Sequence, residues 1–107
     1  MRRTALVASI AAAGLTATAS GLRADDSAEF ELGRQLFRSV MPSCATCHTL
    51  EAAAASGTVG PSLDELKPDA ARVETVLREG LNAMPSYADT LDDAQIRALA
   101  RFIDTAT

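Results

Sequence analysis

An all-α protein, with three main helices and two long loops, is the expectation raised by this 107-residue chain, and three observations carry it. Asp26 with Glu29 and Asp92 with Gln95 each place a capping carboxylate three residues ahead of a side chain that can reach back, just before apolar residues at helical spacing. A third helical pattern starts after Pro68 and stops at Gly80. No run alternates polar and apolar residues for long enough to build a sheet.

The chain opens with Arg2 and Arg3 and an eleven-residue apolar run from Ala5 to Leu15, too short to span a bilayer and patterned as a secretory signal. Residues 1–24 are therefore expected to be removed, by cleavage after Ala24 or after Ala19, leaving one domain over 25–107 in an oxidising compartment, the periplasm. The first helix is expected over roughly 27–39, with Phe30, Gly33 and Phe37 on one face and Pro42 ending it at a turn that carries the cysteines. From Leu50 to Lys67 glycine and proline punctuate a loop, with one helical turn near Ala52–Ala55. The second helix is expected over 69–79, with Pro68 at its first position and Val73, Val76 and Leu77 as its apolar face. Residues 81–90 form the second loop, because Pro85 biases Met84 toward an extended backbone. The last helix, capped by Asp92, carries Ile96, Leu99, Ala100 and Ile103 as a stripe with Phe102 beside it.

Composition narrows the function. The 48% hydrophobic content is inflated by 22 alanines, and from residue 25 onward there are 21 large apolar side chains, a thin core that calls for a disulfide, metal, cofactor or partner. All 14 acidic residues and seven of the ten basic ones follow residue 24, so the exported chain sits near −7. That balance disfavours nucleic acid and anionic membrane surfaces and suits a partner with basic docking patches. A multidomain enzyme and a transmembrane bundle are excluded by size.

The strongest local signal is C44-A-T-C47-H48. Two thiols at this spacing can add to the vinyl groups of a haem while the adjacent imidazole ligates its iron. The same pentapeptide can serve dithiol exchange, which calls for a preceding strand where this sequence has a helix and a proline, or half a metal site. A zinc site lacks ligands, because His48 is the single histidine and Cys44 and Cys47 are the two cysteines. With no second histidine, the opposite axial position falls to Met84, to Met41 or to neither. Met84 follows His48 by 36 residues on a loop stiffened by Pro85, whereas Met41 is seven residues away on the proximal side and reads as a core or rim thioether.

With these residues in place the sequence resembles a class I c-type cytochrome, a small bacterial monohaem electron carrier. The resemblance covers nearly all of 25–107: Gly33 and Phe37, then Cys44, Cys47 and His48, then Gly60-Pro61, Met84-Pro85, and Leu99 with Phe102. It implies a cytochrome c fold wrapped around one haem c held through Cys44 and Cys47, with His48 and Met84 as iron ligands. It also implies that the first and last helices cross at Gly33 and that the Pro61 carbonyl accepts a hydrogen bond from His48. Leu63 reads as a haem contact or a core leucine, Asn82 as a hydrogen-bond donor toward Met84 or a turn former, and Tyr87 as a crevice-closing or propionate-binding residue or plain packing with its hydroxyl at the surface. There is no Trp, so any propionate contact that relatives assign to Trp must come from elsewhere.

The implied role is a periplasmic carrier, not an enzyme, that passes single electrons between a dehydrogenase or membrane complex and a terminal oxidase or reductase. Two alternatives remain open here. The chain can be the dedicated cytochrome subunit of a heteromeric oxidoreductase, or a haem enzyme or gas sensor with an open iron position. Either monomer or subunit is compatible, with no stable membrane insertion once the signal is removed.

Overall fold

The computed structural model describes residues 5–14 and 20–107. The expected signal segment and its Ala19 cleavage position fall partly outside these residues, and 5–14 are exposed with neither helix nor strand. Five helices follow: α1 (Ser20–Ser39), α2 (Cys44–Cys47), α3 (Leu63–Leu66), α4 (Ala70–Glu79) and α5 (Asp93–Ala106). Between α2 and α3 lies a small antiparallel pair, β1 (Thr49–Leu50) and β2 (Ala55–Ser56), joined through a 3-10 turn at Glu51–Ala53.

The three long helices match the expected ones, with two corrected boundaries. α1 begins at Ser20, so Asp26 lies inside the helix and the expected capping box does not form its start. The sequence upstream, Leu22-Arg23-Ala24, consists of good helix formers that extend it. Pro68 does not take the first helical position either: Asp69 is the N-cap of α4, accepting from the Arg72 amide at 2.8 Å, and Pro68 is buried one residue earlier. At α5 the capping box is complete, with the Asp92 carboxylate on the Gln95 amide and the Gln95 side chain on the Asp92 amide.

The loop expected between Leu50 and Lys67 is more ordered than composition implied. Ala54 takes a left-handed conformation (φ 50°), which closes the 3-10 turn and lets β1 and β2 meet. Arg38 of α1 donates to the carbonyls of Ala53 and Ala54 at 2.9 Å each and ties this segment to the first helix. One turn of helix, α3, was not expected; its Leu63 is buried, and Asp64 accepts from the Glu51 amide at 2.9 Å.

α1 and α5 cross at Gly33. A Cβ there would lie 2.5 Å from Cβ of Phe102 and would collide with the Ala98 carbonyl, so only hydrogen lets the two backbones approach this closely. Phe102 then receives Phe30 and Phe37 edge-on, at ring-centre distances of 4.9 and 6.1 Å. Ile96, Leu99, Ala100, Phe102 and Ile103, the stripe expected on the last helix, are all buried. α4 packs on the other side of α5, leaving a cleft between α4, α5 and the segment that carries the cysteines.

Candidate haem site

The cysteines owe their placement to a single helical turn. Ser43 donates its hydroxyl to the Arg38 carbonyl at 3.1 Å, fastening the end of α1 to the start of α2, and the His48 amide closes the turn on the Cys44 carbonyl at 2.9 Å. Cys44 is buried, Cys47 is half-buried, and both are free thiols. Burial pushes the Cys44 thiol up to about 11. That is the opposite of the lowered value that a thiol-exchange cysteine needs.

His48 leaves α2 in an extended conformation. Its Nδ1 lies 2.7 Å from the Pro61 carbonyl oxygen. A carbonyl only accepts, so Nδ1 carries the proton and the Nε2 lone pair is left for a metal. Gly60 sits against the ring: a Cβ at this position would come within 2.6 Å of Cε1, and its amide donates to the Cys47 carbonyl at 2.7 Å. The Gly60-Pro61 pair thus orients the imidazole from one side by contact and from the other by hydrogen bond.

Across the cleft, the segment from Gly80 to Leu91 carries Met84. Gly80 ends α4 at φ +73°, where a side chain would press on the Ser86 amide at 2.9 Å. Leu81 and Met84 then exchange backbone hydrogen bonds of 3.0 and 2.9 Å across a two-residue turn. Asn82 occupies that turn at φ +52°, a left-handed position that asparagine tolerates better than most residues. Met84 is half-buried and packs on the core. Met41 is 75% exposed and does not line the cleft, so it is not a core thioether. Tyr87 is 3% exposed, and its hydroxyl does not reach the surface but donates to the Pro42 carbonyl at 2.6 Å.

These residues meet around one cavity of about 480 Å³, inside the range of small-molecule and cofactor sites. Cys44, Cys47, His48, Pro61, Leu63, Asn82, Met84 and Tyr87 all line it. Most of the rest of the wall is apolar, including Phe37, Val73, Leu77, Leu99 and Ile103. Arg72 is the one lining residue with a permanent charge, and it was not singled out from the sequence. The signal was available, since Arg72 directly precedes Val73 and shares the face of α4 formed by Val73, Val76 and Leu77. A mostly apolar cavity with two thiols and an imidazole on one wall, a thioether on another and a single cation suits a large apolar ring that bears carboxylates. Among the described residues no cluster of three or more His, Cys, Asp or Glu could hold a bare metal ion.

Comparisons with known proteins identify the family. Residues 28–103 match the family described as cytochrome c oxidase, cbb3-type, subunit III. The crystal structure of the c-type cytochrome SorU from Sinorhizobium meliloti is 46% identical and superposes with a TM-score of 0.72, over 75% of this chain and 92% of that one. No curated protein matches the chain. A family match over most of the sequence, together with a relative at this identity covered almost end to end, establishes that the chain belongs to the c-type cytochromes, its paired cysteines being the attachment motif for one haem c.

Proposed function

We propose that this c-type cytochrome is the dedicated electron-transfer subunit of a heteromeric periplasmic oxidoreductase, with His48 and Met84 as its axial ligands. The observation that carries the site reading is that one apolar cavity collects Cys44, Cys47 and His48 from one segment and Met84 from another, 36 residues beyond His48. Bound haem c supplies a one-electron Fe(III)/Fe(II) couple, with the Met/His ligand pair favouring a raised potential.

The protein's own part is to hold and to exclude. Cys44 and Cys47 would anchor the ring through thioethers, and His48 would present Nε2 because its other nitrogen is committed to Pro61. Met84 would offer its sulfur from the opposite loop, held in place by the Leu81–Met84 bridge. Leu63 and the apolar faces of α4 and α5 exclude water, so a change of charge reorganises little around the site. Arg72 is placed to compensate carboxylates at the cavity wall.

The choice between subunit and shuttle rests on the family match. Its description names a subunit of an oxidase, which supports the dedicated role over a free carrier diffusing between a dehydrogenase and a terminal oxidase or reductase. No helix among the described residues is long and apolar enough to cross a membrane. Periplasmic placement follows from reading residues 1–24 as an export signal, and the acidic surplus suits a partner with a basic docking patch.

Two experiments test this. Spectra of the matured protein are expected to show low-spin haem c with a thioether-to-ferric charge-transfer band that Met84→Ala abolishes; a high-spin spectrum that readily takes up exogenous ligands would instead point to the enzyme or sensor reading. Affinity isolation of the protein from its native periplasm is expected to retain a stoichiometric oxidoreductase through gel filtration. Elution as a bare monomer would return the free shuttle to first place.

A further inference from the structure

The distal segment hangs on few attachments. Between α4 and α5, residues 81–83, 85, 86 and 88–90 are exposed, while Tyr87 is 3% exposed. Two of its anchors lead straight back to α4: Ser86 donates its hydroxyl to the Arg78 carbonyl at 2.6 Å, and the Tyr87 amide donates to the Leu77 carbonyl at 2.7 Å. These move with the helix from which the segment springs. The Tyr87 hydroxyl does something else, since it donates at 2.6 Å to the carbonyl of Pro42, 45 residues earlier and directly ahead of the cysteine turn. That bond joins the Met84 side of the cavity to the Cys44 side. Burial pushes the phenol up to about 12, so the hydroxyl remains a donor through neutral pH.

We infer that Tyr87 is a positioning residue, a buried latch whose hydroxyl bond to Pro42 holds the distal segment closed and so keeps Met84 at the cavity wall. Opening the segment would require the hydroxyl to leave a short, part-buried bond, and the Pro42 carbonyl would lose its donor. The latch sets how often the segment opens, and therefore how fast an external ligand can replace Met84. It rests on the reading of Met84 as an axial ligand.

The test is stopped-flow replacement of the thioether ligand by saturating imidazole in the ferric holoprotein, followed through the charge-transfer band. At saturation the observed rate reports opening of the segment. Tyr87→Phe keeps the ring and removes the hydroxyl, and is expected to raise the limiting rate about tenfold, equivalent to about 1.4 kcal/mol. Ile96→Val serves as the comparison, because Ile96 is buried in α5 away from the cavity. It should lower global stability without changing the limiting rate. A Tyr87→Phe rate within twofold of the parent, or equal acceleration by Ile96→Val, overturns the latch. A charge-transfer band that is absent from the parent, or that survives Met84→Ala, overturns the ligation reading and the latch together.

Discussion

Small substitutions around the cavity separate roles that composition cannot. His48 has one nitrogen committed to Pro61 at 2.7 Å and its ring pressed by Gly60, so a single glycine–proline pair decides both tautomer and orientation. Arg72 is the counterpart on α4. A cation near the site favours the reduced form, which carries one positive charge fewer. Arg72→Gln is therefore expected to lower the midpoint potential measured by spectroelectrochemistry. Arg97→Gln removes the same charge from an exposed position of α5 that does not line the cavity, and should leave the potential nearly unchanged. Equal shifts in the two variants would mean that Arg72 acts only through net charge.

Helices meet each other at points chosen for size and charge. The crossing of α1 and α5 depends on Gly33, and alanine there would force the helices apart against the Ala98 backbone. Overpacking of this kind costs about 1–3 kcal/mol, which outweighs the smaller helix-propensity gain of alanine. Thermal melting should show Gly33→Ala less stable than the parent; an unchanged midpoint would mean the crossing relaxes freely. α4 and α5 are joined differently, through Arg78 and Asp93 at 2.7 Å. The hydrogen bond and charge of Arg78 hold the Asp93 carboxyl below its ordinary 3.8. The folded protein thus binds this proton less readily than the unfolded chain. The stabilisation is present above that ordinary value and is lost as pH falls through it and below. Both side chains are exposed, so the effect is small. Denaturation at pH 6 and pH 3 should show a stability gap between the parent and Asp93→Asn that narrows in acid; a gap independent of pH would exclude the linkage.

Taken as one body, the protein is built around space that its side chains do not fill. With 21 large apolar side chains after residue 24 and a cavity of about 480 Å³ among them, the core needs the attached ring to reach the packing density of a stable domain. Cys44→Ala/Cys47→Ala, which cannot attach haem, is expected to lose cooperative thermal unfolding by circular dichroism while retaining part of its helical signal. A sharp melt near that of the holoprotein would show that the helices suffice without the cofactor.

Much of this was legible in residues close together in the chain. C44-A-T-C47-H48 is a local motif whose chemistry follows from its spacing, the Asp92–Gln95 box sets the start of α5, and Gly80 ends α4, because caps and attachment motifs act over three or four residues. Spacing to His48 and the neighbouring Pro85 single out Met84 as a candidate, and it lines the cavity. Less local features were not legible. The early start of α1, the β1–β2 pair and α3 depend on contacts that propensity does not rank, such as Arg38 on Ala53 and Ala54. In the sequence Tyr87 fits crevice, propionate and packing roles alike and Arg72 does not stand out, because each is defined by what it faces across the cleft. A hydroxyl bond spanning 45 residues, or a cation on an apolar wall, exists once α4, α5 and the cysteine turn are packed together. Chain order can specify which groups are present and how each turn closes; which groups confront one another is set by long-range packing, where the energy lies in burial shared among distant segments.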